Sequence, residues 1–572
     1  MYDVVIKGGT VIDGTGGPAR STDVAIKDGR VARVGTADAE AARTIDATGK
    51  YVTPGFIDIH THYDAQIHWD QTLSPSPLHG ITSVIGGNCG FTIAPIAPEH
   101  GEYLMKMLAR VEGMPLESLE TGVPWGEWST FGQWLDLLEG NTAVNAGFNV
   151  GHSALRRLVM GERSVGQEAT PEDIVGMQSL LRASLEAGGI GFTSSWATTH
   201  NDSNGDPVPS RHCTDEEMIA LAEVCSEFDG TSLEFIPAVG RFEDRHIKLM
   251  AAMSKAANKP LNWNLIAVST SPKQQAIREQ KLSASDYATE HGGKVLALTV
   301  PTAIQSRMSI QSGFVFDALN GWAKPMSLPD DEKMAMLADL TQRRELNELA
   351  QGPSPLRGVA KWHKLTVGEV FSDENQEYLG RSIGDIAEEQ GRETFDVLCD
   401  IVLADDLRTG LYPKLQGDDD ETWELRRDVW RDERTILGGT DAGAHLDLLA
   451  TFNATTSMLG NGIRDRNLMP WEEAINLITD APAQLYGLKK RGRLAEDYHA
   501  DVVVLDPETV GPRETEIRHD LPGGAWRLYG EADGIDHVLV NGEEIVDHGT
   551  FTAARPGTIL RSGRDTTGTD LS

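Results

Sequence analysis

Two histidines one residue apart, His60 and His62, close the run Gly55-Phe56-Ile57-Asp58-Ile59-His60-Thr61-His62. The residues before them are mostly apolar and follow a Pro54-Gly55 turn, which reads as a buried strand. Side chains alternate faces along a strand, so both imidazoles point one way and Thr61 the other. Two neutral imidazoles on one face suit a divalent metal. The plain alternative is two histidines meeting at a strand end by chance, or capping a loop. Cys89, in Gly86-Gly87-Asn88-Cys89-Gly90, and Asp441, in Leu437-Gly438-Gly439-Thr440-Asp441-Ala442-Gly443-Ala444-His445, bear on that choice, because each follows an apolar run. With the histidines they make a donor set for Zn²⁺, and the thiolate can bridge if a second ion is present. Taken singly, Cys89 reads as a small buried hydrophobe and Asp441 as a turn or cap residue. A metal held by the set lowers the pKa of a water toward neutrality. Asp441 is then placed to take a proton as that water attacks a carbonyl, and to return it to a departing nitrogen.

Residues so far apart in sequence meet only if their elements converge. Residues 55–487 alternate apolar strands with amphipathic helices. Strands are expected within 52–59, 81–85, 143–150, 190–194, 232–238, 261–268, 295–300 and 435–439. Helices are expected over 171–187, with Thr170 as N-cap, 215–228 and 471–480. Eight strands are the number a (β/α)₈ TIM-type barrel needs, and in such a barrel the strand ends share one mouth. The expected fold class is therefore α/β. The stretch 314–434 then becomes an insertion before the last strand: a lid or extra subdomain, or mere surface padding. Residues 1–54 and 488–572 alternate short strands with Gly-rich turns, including the hairpin signals Asp28-Gly29 and Asn541-Gly542. They read as two halves of one small β-sandwich built from both chain termini. The tail after Arg561 is expected to fray.

Bulk properties exclude more than they select. The chain has 572 residues, enough for two to four domains or one large barrel with an appendage. Its formal charge of −35, from 51 basic and 86 acidic residues, argues against nucleic acid or an anionic membrane as partner. Four scattered cysteines do not make a disulfide framework and fit a reducing compartment. The first residues lack the pattern of a signal peptide, and no run approaches a membrane span. A cytoplasmic protein acting on a small molecule is the expectation, with a homo-oligomer left open.

Several longer stretches bring a family into view. They are Asp3-Val4-Val5-Ile6-Lys7-Gly8-Gly9-Thr10-Val11-Ile12-Asp13-Gly14, Pro54 to His62, His79-Gly80-Ile81-Thr82-Ser83-Val84 with Gly87-Asn88-Cys89-Gly90, Gly151-His152-Ser153-Ala154-Leu155-Arg156, the Asp441 motif, and Arg491-Gly492-Arg493-Leu494-Ala495 with Ala500-Asp501-Val502-Val503-Val504-Leu505-Asp506. Together they resemble the amidohydrolase superfamily and, within it, the N-acyl-D-amino-acid deacylase (D-aminoacylase) group. The resemblance implies a metal-bearing barrel with a β-sandwich, Cys89 as a metal ligand in place of a carboxylated lysine, Asp441 as general acid/base, and an N-acyl-D-amino acid as substrate.

The sequence also departs from that group, which supplies metal-binding histidines from strands five and six. Here the strand-five stretch reads Ser232-Leu233-Glu234-Phe235-Ile236-Pro237-Ala238-Val239-Gly240-Arg241 and the strand-six stretch Pro260-Leu261-Asn262-Trp263-Asn264-Leu265-Ile266-Ala267-Val268, without a histidine in either. Glu234 is a candidate replacement ligand, whereas Asn is a poor one for Zn²⁺. A single divalent ion, Zn²⁺, held by His60, His62, Asp441 and Cys89 is the expectation. Candidate substrate contacts are His152 and Arg156 after strand three, Ser195 after strand four, Arg241 after strand five, and His445 beside Asp441. An arginine is suited to grip a carboxylate with two hydrogen bonds. The rival readings are a hydrolase of another amide, a cyclic amide or an ester, and a degraded barrel that only binds a ligand.

Overall fold

The computed structural model describes residues 1–354, 356–568 and 571. Eight parallel strands carry the centre of the molecule: β1 (Phe56–Asp58), β2 (Ile81–Gly86), β3 (Asn145–Phe148), β4 (Gly191–Ser195), β5 (Ser232–Ile236), β6 (Leu261–Ile266), β7 (Val295–Thr299) and β8 (Thr435–Leu437). Successive strands pair in parallel from β1 to β3 and from β4 to β8. Between those runs, Val150–Gly151 continues the line of β3 and pairs with β4. Beyond β1 and β8, Thr61 and Ala442 form a parallel bridge, and His62 N donates to Ala442 O at 2.8 Å. Strands covered on both faces favour continuous apolar runs, and all residues of β2, β3, β4 and β5 are buried.

Helices follow the strands as the periodicity predicts, with ends set by caps. α1 (Gly101–Val111) lies between β2 and β3. α2 (Pro171–Glu186) begins at Thr170, whose hydroxyl accepts from Asp173 N while the Asp173 carboxylate accepts from Thr170 N. Such a cap contributes about 1 kcal/mol. α3 (Asp215–Val224) opens on Thr214 and is shorter than expected, because the chain tightens into a 3₁₀ turn at Cys225–Glu227.

The termini meet. Tyr51–Pro54 pairs antiparallel with Val502–Leu505 and parallel with Thr10–Val11, within a seven-stranded sheet. One apolar cluster joins Val4, Ile26 and Val52 to Leu494, Val502 and Leu539. The expected single strand 52–59 is thus two strands serving two sheets, and Gly55 is the crossing point, where a Cβ would lie 2.1 Å from Thr82 Oγ1. Asp28-Gly29 and Asn541-Gly542 both take positive φ at their two positions, as a tight hairpin turn demands.

One expectation needs correction. The described part of the tail after Arg561 is pinned: Thr566 Oγ1 donates to Gly230 O at 2.7 Å and Thr567 N to Gly487 O at 2.8 Å. Just ahead of it, Ile559–Leu560 pairs in parallel with β3. Residues 569, 570 and 572 lie outside the described residues. The stretch before β8 packs in two places. Met308, Trp322, Trp362, Val367 and Phe395 share a cluster of their own, whereas Trp423 and Trp430, on the helix Asp420–Trp430, pack into the main core.

Candidate metal centre

β1 ends at Asp58, and the two histidines lie just past it. The Asp58 carboxylate accepts from His60 N at 3.2 Å and from the Thr440 hydroxyl, so one buried side chain ties the β1 exit to the β8 exit. Burial raises this carboxyl to about 6. The imidazoles of His60 and His62 meet edge to face with ring centroids 5.2 Å apart. Cys89 Sγ lies 3.5 Å from His60 Nε2 and 3.9 Å from His62 Nε2. Asp441 Oδ1 lies 3.0 Å from His60 Nε2 and 3.7 Å from His62 Nε2. The structure therefore brings His60, His62, Cys89 and Asp441 together.

Those separations are the edges of a small polyhedron. With bonds of 2.0–2.3 Å from Zn²⁺ to nitrogen, oxygen and sulfur, a tetrahedral set has edges of about 3.3–3.6 Å. The donors of His60, His62 and Cys89 lie within 4.8 Å of one another, so a cation fits between atoms already converged. Charge points the same way. Glu112, Glu234 and Asp58 are buried beside the imidazoles, and Asp64 is buried with its carboxylate on Gly87 N. Burial raises Glu234 and Asp64 to about 7 and Glu112 well above its ordinary value. Burial and the neighbouring carboxylates push the Cys89 thiol well up. Burial lowers both imidazoles, but His60 is raised on balance by Asp441, while His62 stays lowered. Burial works against the Asp441 carboxylate, yet the two imidazoles hold it far below the usual carboxylate range. So many buried acids facing two imidazoles form a cradle for a cation.

The exits of β5 and β6 complete the wall. Glu234 Oε2 accepts from Cys89 N at 2.8 Å. Asn264 Nδ2 lies 3.3 Å from His60 Nε2 and 3.7 Å from Cys89 Sγ. Glu234 Oε1 and Asn264 Oδ1 are buried with no hydrogen-bond partner among the described residues. The backbone is under local constraint at the same place: Cys89, Asp441 and His445 all adopt positive φ. Non-glycine residues take that conformation only where their surroundings impose it.

The sequence-derived substrate candidates divide. Ser195 is buried, and its hydroxyl lies 2.8 Å from His200 Nδ1. Burial lowers His200 to about 3 and His445 to about 4, and both feel the charge of Asp441 and His62. Arg241 is exposed in the loop after β5. His152 and Arg156, in contrast, are turned to other work. Both are fully buried on Glu217, His152 Nε2 at 2.8 Å and Arg156 Nη1 at 2.6 Å from Oε1, while His152 Nδ1 meets Ser194 Oγ at 2.9 Å. Their polar atoms meet Glu217 on α3, Ser194 on β4 and the backbone oxygen of Gln167.

Glu112 is a residue that sequence reasoning missed. Its Oε1 lies 3.3 Å from His62 Nδ1, and its backbone oxygen accepts from His445 N. It stands at the end of α1, in a crossover with no motif, and its only signal is the left-handed Gly113 that follows.

The chain belongs to the Amidohydrolase family, which matches residues 43–347 and 360–546. Its similarity to individual proteins runs end to end. It is 26% identical to a D-aminoacylase of Alcaligenes xylosoxydans xylosoxydans, over 98% of this chain and 97% of that one. It is 28% identical to an N-acyl-D-glutamate deacylase of the same organism, over 98% and 96%. Among solved structures it matches an N-acyl-D-glutamate deacylase from Bordetella bronchiseptica, complexed with zinc and a phosphonate inhibitor. That match has 24% identity and a TM-score of 0.65 over 98% of this chain and 99% of that one. The resemblance read from the sequence motifs therefore holds for family and group.

Proposed function

We propose that this protein is a metal-dependent amidohydrolase that removes the acyl group from an N-acyl amino acid, of D configuration as in its relatives. The observation that carries the reading is the convergence of the His60, His62 and Cys89 donors within 4.8 Å of one another, with Asp441 Oδ1 3.0 Å and 3.7 Å from the two imidazoles. His60 Nε2, His62 Nε2, Cys89 Sγ and Asp441 Oδ1 are the atoms to hold it. A Zn²⁺ bound there supplies a water of lowered pKa and a Lewis acid for the amide carbonyl. Asp441, whose side chain is 29% exposed and the most open of the set, receives the proton and delivers it to the leaving nitrogen. Ser195, Arg241 and His445 stand as substrate contacts, with Arg241 reaching for the carboxylate from solvent.

One ion is favoured over two. Asn264 turns an N–H group, a donor, toward His60 and Cys89, and one oxygen of Glu234 is taken by Cys89 N. The same two residues favour a second reading. Their presence alters the wall facing the scissile bond, which suits an enzyme for another amide, a cyclic amide or an ester. The parallel strands are read as a closed (β/α)₈ barrel over 55–487, interrupted by the segment 314–434, with 1–54 and 488–572 as one β-sandwich. The bridge from Thr61 to Ala442 and the cluster shared by both termini support that reading. Among the described residues no helix is long and apolar enough to cross a membrane. With the acidic balance of the chain, this favours a cytoplasmic enzyme with a small-molecule substrate and no nucleic-acid or membrane partner; a homo-oligomer is compatible.

Plasma emission on the purified protein, followed by assay of N-acyl-D-amino acids with and without chelator, tests the reading. One equivalent of metal and chelator-sensitive release of the amino acid is the expected result. Full activity in a metal-free preparation refutes it; bound metal without turnover of any N-acyl amino acid shifts it to the second reading.

A further inference from the structure

We infer that Glu112 is a positioning residue for His62, holding the ring so that Nε2 faces the metal centre. The inference rests on the metal reading above. To act as a ligand through Nε2, a neutral imidazole must carry its proton on Nδ1, and the partner of Nδ1 decides both tautomer and ring plane. At His62 that partner is a carboxylate: Glu112 Oε1 lies 3.3 Å from Nδ1, with both side chains 3% exposed. This oxygen is buried and has no hydrogen-bond partner among the described residues, and its 3.3 Å approach to Nδ1 is an ion-pair contact. His60 differs, since its Nδ1 is buried without a hydrogen-bond partner among the described residues. His62 is thus approached at Nδ1 by a carboxyl group from outside the motif that carries it.

The position of Glu112 is itself fixed from several sides. Its N–H closes α1 on Leu108 O at 2.9 Å, and its carbonyl accepts from His445 N, beside Asp441. Two residues earlier, Arg110 binds the Asp317 carboxylate and donates to Ser312 O at 2.6 Å, both in the stretch after β7. The end of α1 is therefore clamped between the last part of the mouth and the excursion before β8. Glu112 faces Nδ1, the side of the ring away from Cys89 and Asp441, so its role is support instead of ligation.

The test compares the full-length protein with Glu112→Gln and Glu112→Ala. Cobalt affinity is measured by chelator competition, and long-range ¹H–¹⁵N spectra of ¹⁵N-histidine protein report the His62 tautomer in the metal-free state. The expected result is cobalt binding about 10–100-fold weaker in Glu112→Ala. His62 in that variant populates both tautomers, whereas wild type holds the Nδ1–H form. Glu112→Gln keeps the tautomer, because its amide oxygen still accepts, and loses affinity several-fold with the charge. Wild-type affinity and tautomer in Glu112→Ala overturn the inference. If Glu112→Ala does not fold, unchanged cobalt affinity in Glu112→Gln overturns it. A wild-type protein that takes up no cobalt refutes the metal reading instead, and the metal-free tautomer still decides Glu112.

Discussion

His60 Nε2 stands 3.0 Å from Asp441 Oδ1, beside the bridge that joins Thr61 to Ala442 beyond the first and last parallel strands. A contact between residues so distant in sequence exists only because the tertiary fold brings the two stretches together. On the proposed reading Asp441 has two duties, as a metal donor and as a proton carrier.

Asp441→Asn separates the duties. Asn can still offer an oxygen, but it cannot take a proton. The expected result is retained metal content with kcat reduced by about 10²–10⁴-fold. Metal analysis and steady-state kinetics on the same preparation check it; wild-type kcat removes Asp441 from the proton path.

Cobalt reports on Cys89. A thiolate–cobalt bond gives a charge-transfer band that oxygen and nitrogen donors do not give. The band is expected in the cobalt-loaded wild type and absent in Cys89→Ser. Its absence in the wild type restricts the donor set to His60, His62 and Asp441.

Metal also links to stability. A ligand that binds the folded state at a hundred times its Kd adds about 2.7 kcal/mol. Chelator is expected to lower the unfolding midpoint of the wild type and to leave that of His60→Ala where it was. A wild-type midpoint indifferent to chelator contradicts the metal centre.

Arg156 is expected to matter for folding and not for substrate. It shares the Glu217 carboxylate with His152, and all three side chains are fully buried. Arg156→Met leaves the carboxylate without its cation, a loss of about 3–5 kcal/mol. Denaturant unfolding reads the loss, and the KM of the remaining folded enzyme is expected to match wild type. A stable variant with a raised KM restores Arg156 to the substrate site.

His68 sets an acid limit. Its Nε2 accepts from Trp134 Nε1 at 3.1 Å, and its ring stacks on Trp128 at 5.3 Å. An indole nitrogen only donates, so the ring must stay neutral at Nε2. Burial lowers its pKa from 6.5 to about 4. Between those values the unfolded chain binds the proton and the folded one does not, so stability falls as pH drops through that window. The contribution is at most about 3 kcal/mol. Unfolding midpoints at pH 7, 6 and 5 check the slope, and His68→Gln is expected to flatten it.

The sequence by itself determined the alternation of strands and helices, the hairpins at Asp28-Gly29 and Asn541-Gly542, and the pairing of His60 with His62. These are local matters of side-chain period and permitted φ, which neighbours in the chain suffice to set. It also marked Cys89 and Asp441, because short polar residues among glycines at strand ends are visible without a fold. Only the tertiary structure decided what surrounds them. Glu112 reaches His62 from a helix with no motif, since burial and proximity to a ring nitrogen leave no trace in spacing. Arg156, which reads as an anion binder, faces Glu217 inside the molecule, because the packing of α3 determines which carboxylate it meets. The tail after Arg561, polar and rich in glycine, reads as loose and is held by hydrogen bonds to Gly230 and Gly487, partners hundreds and tens of residues away.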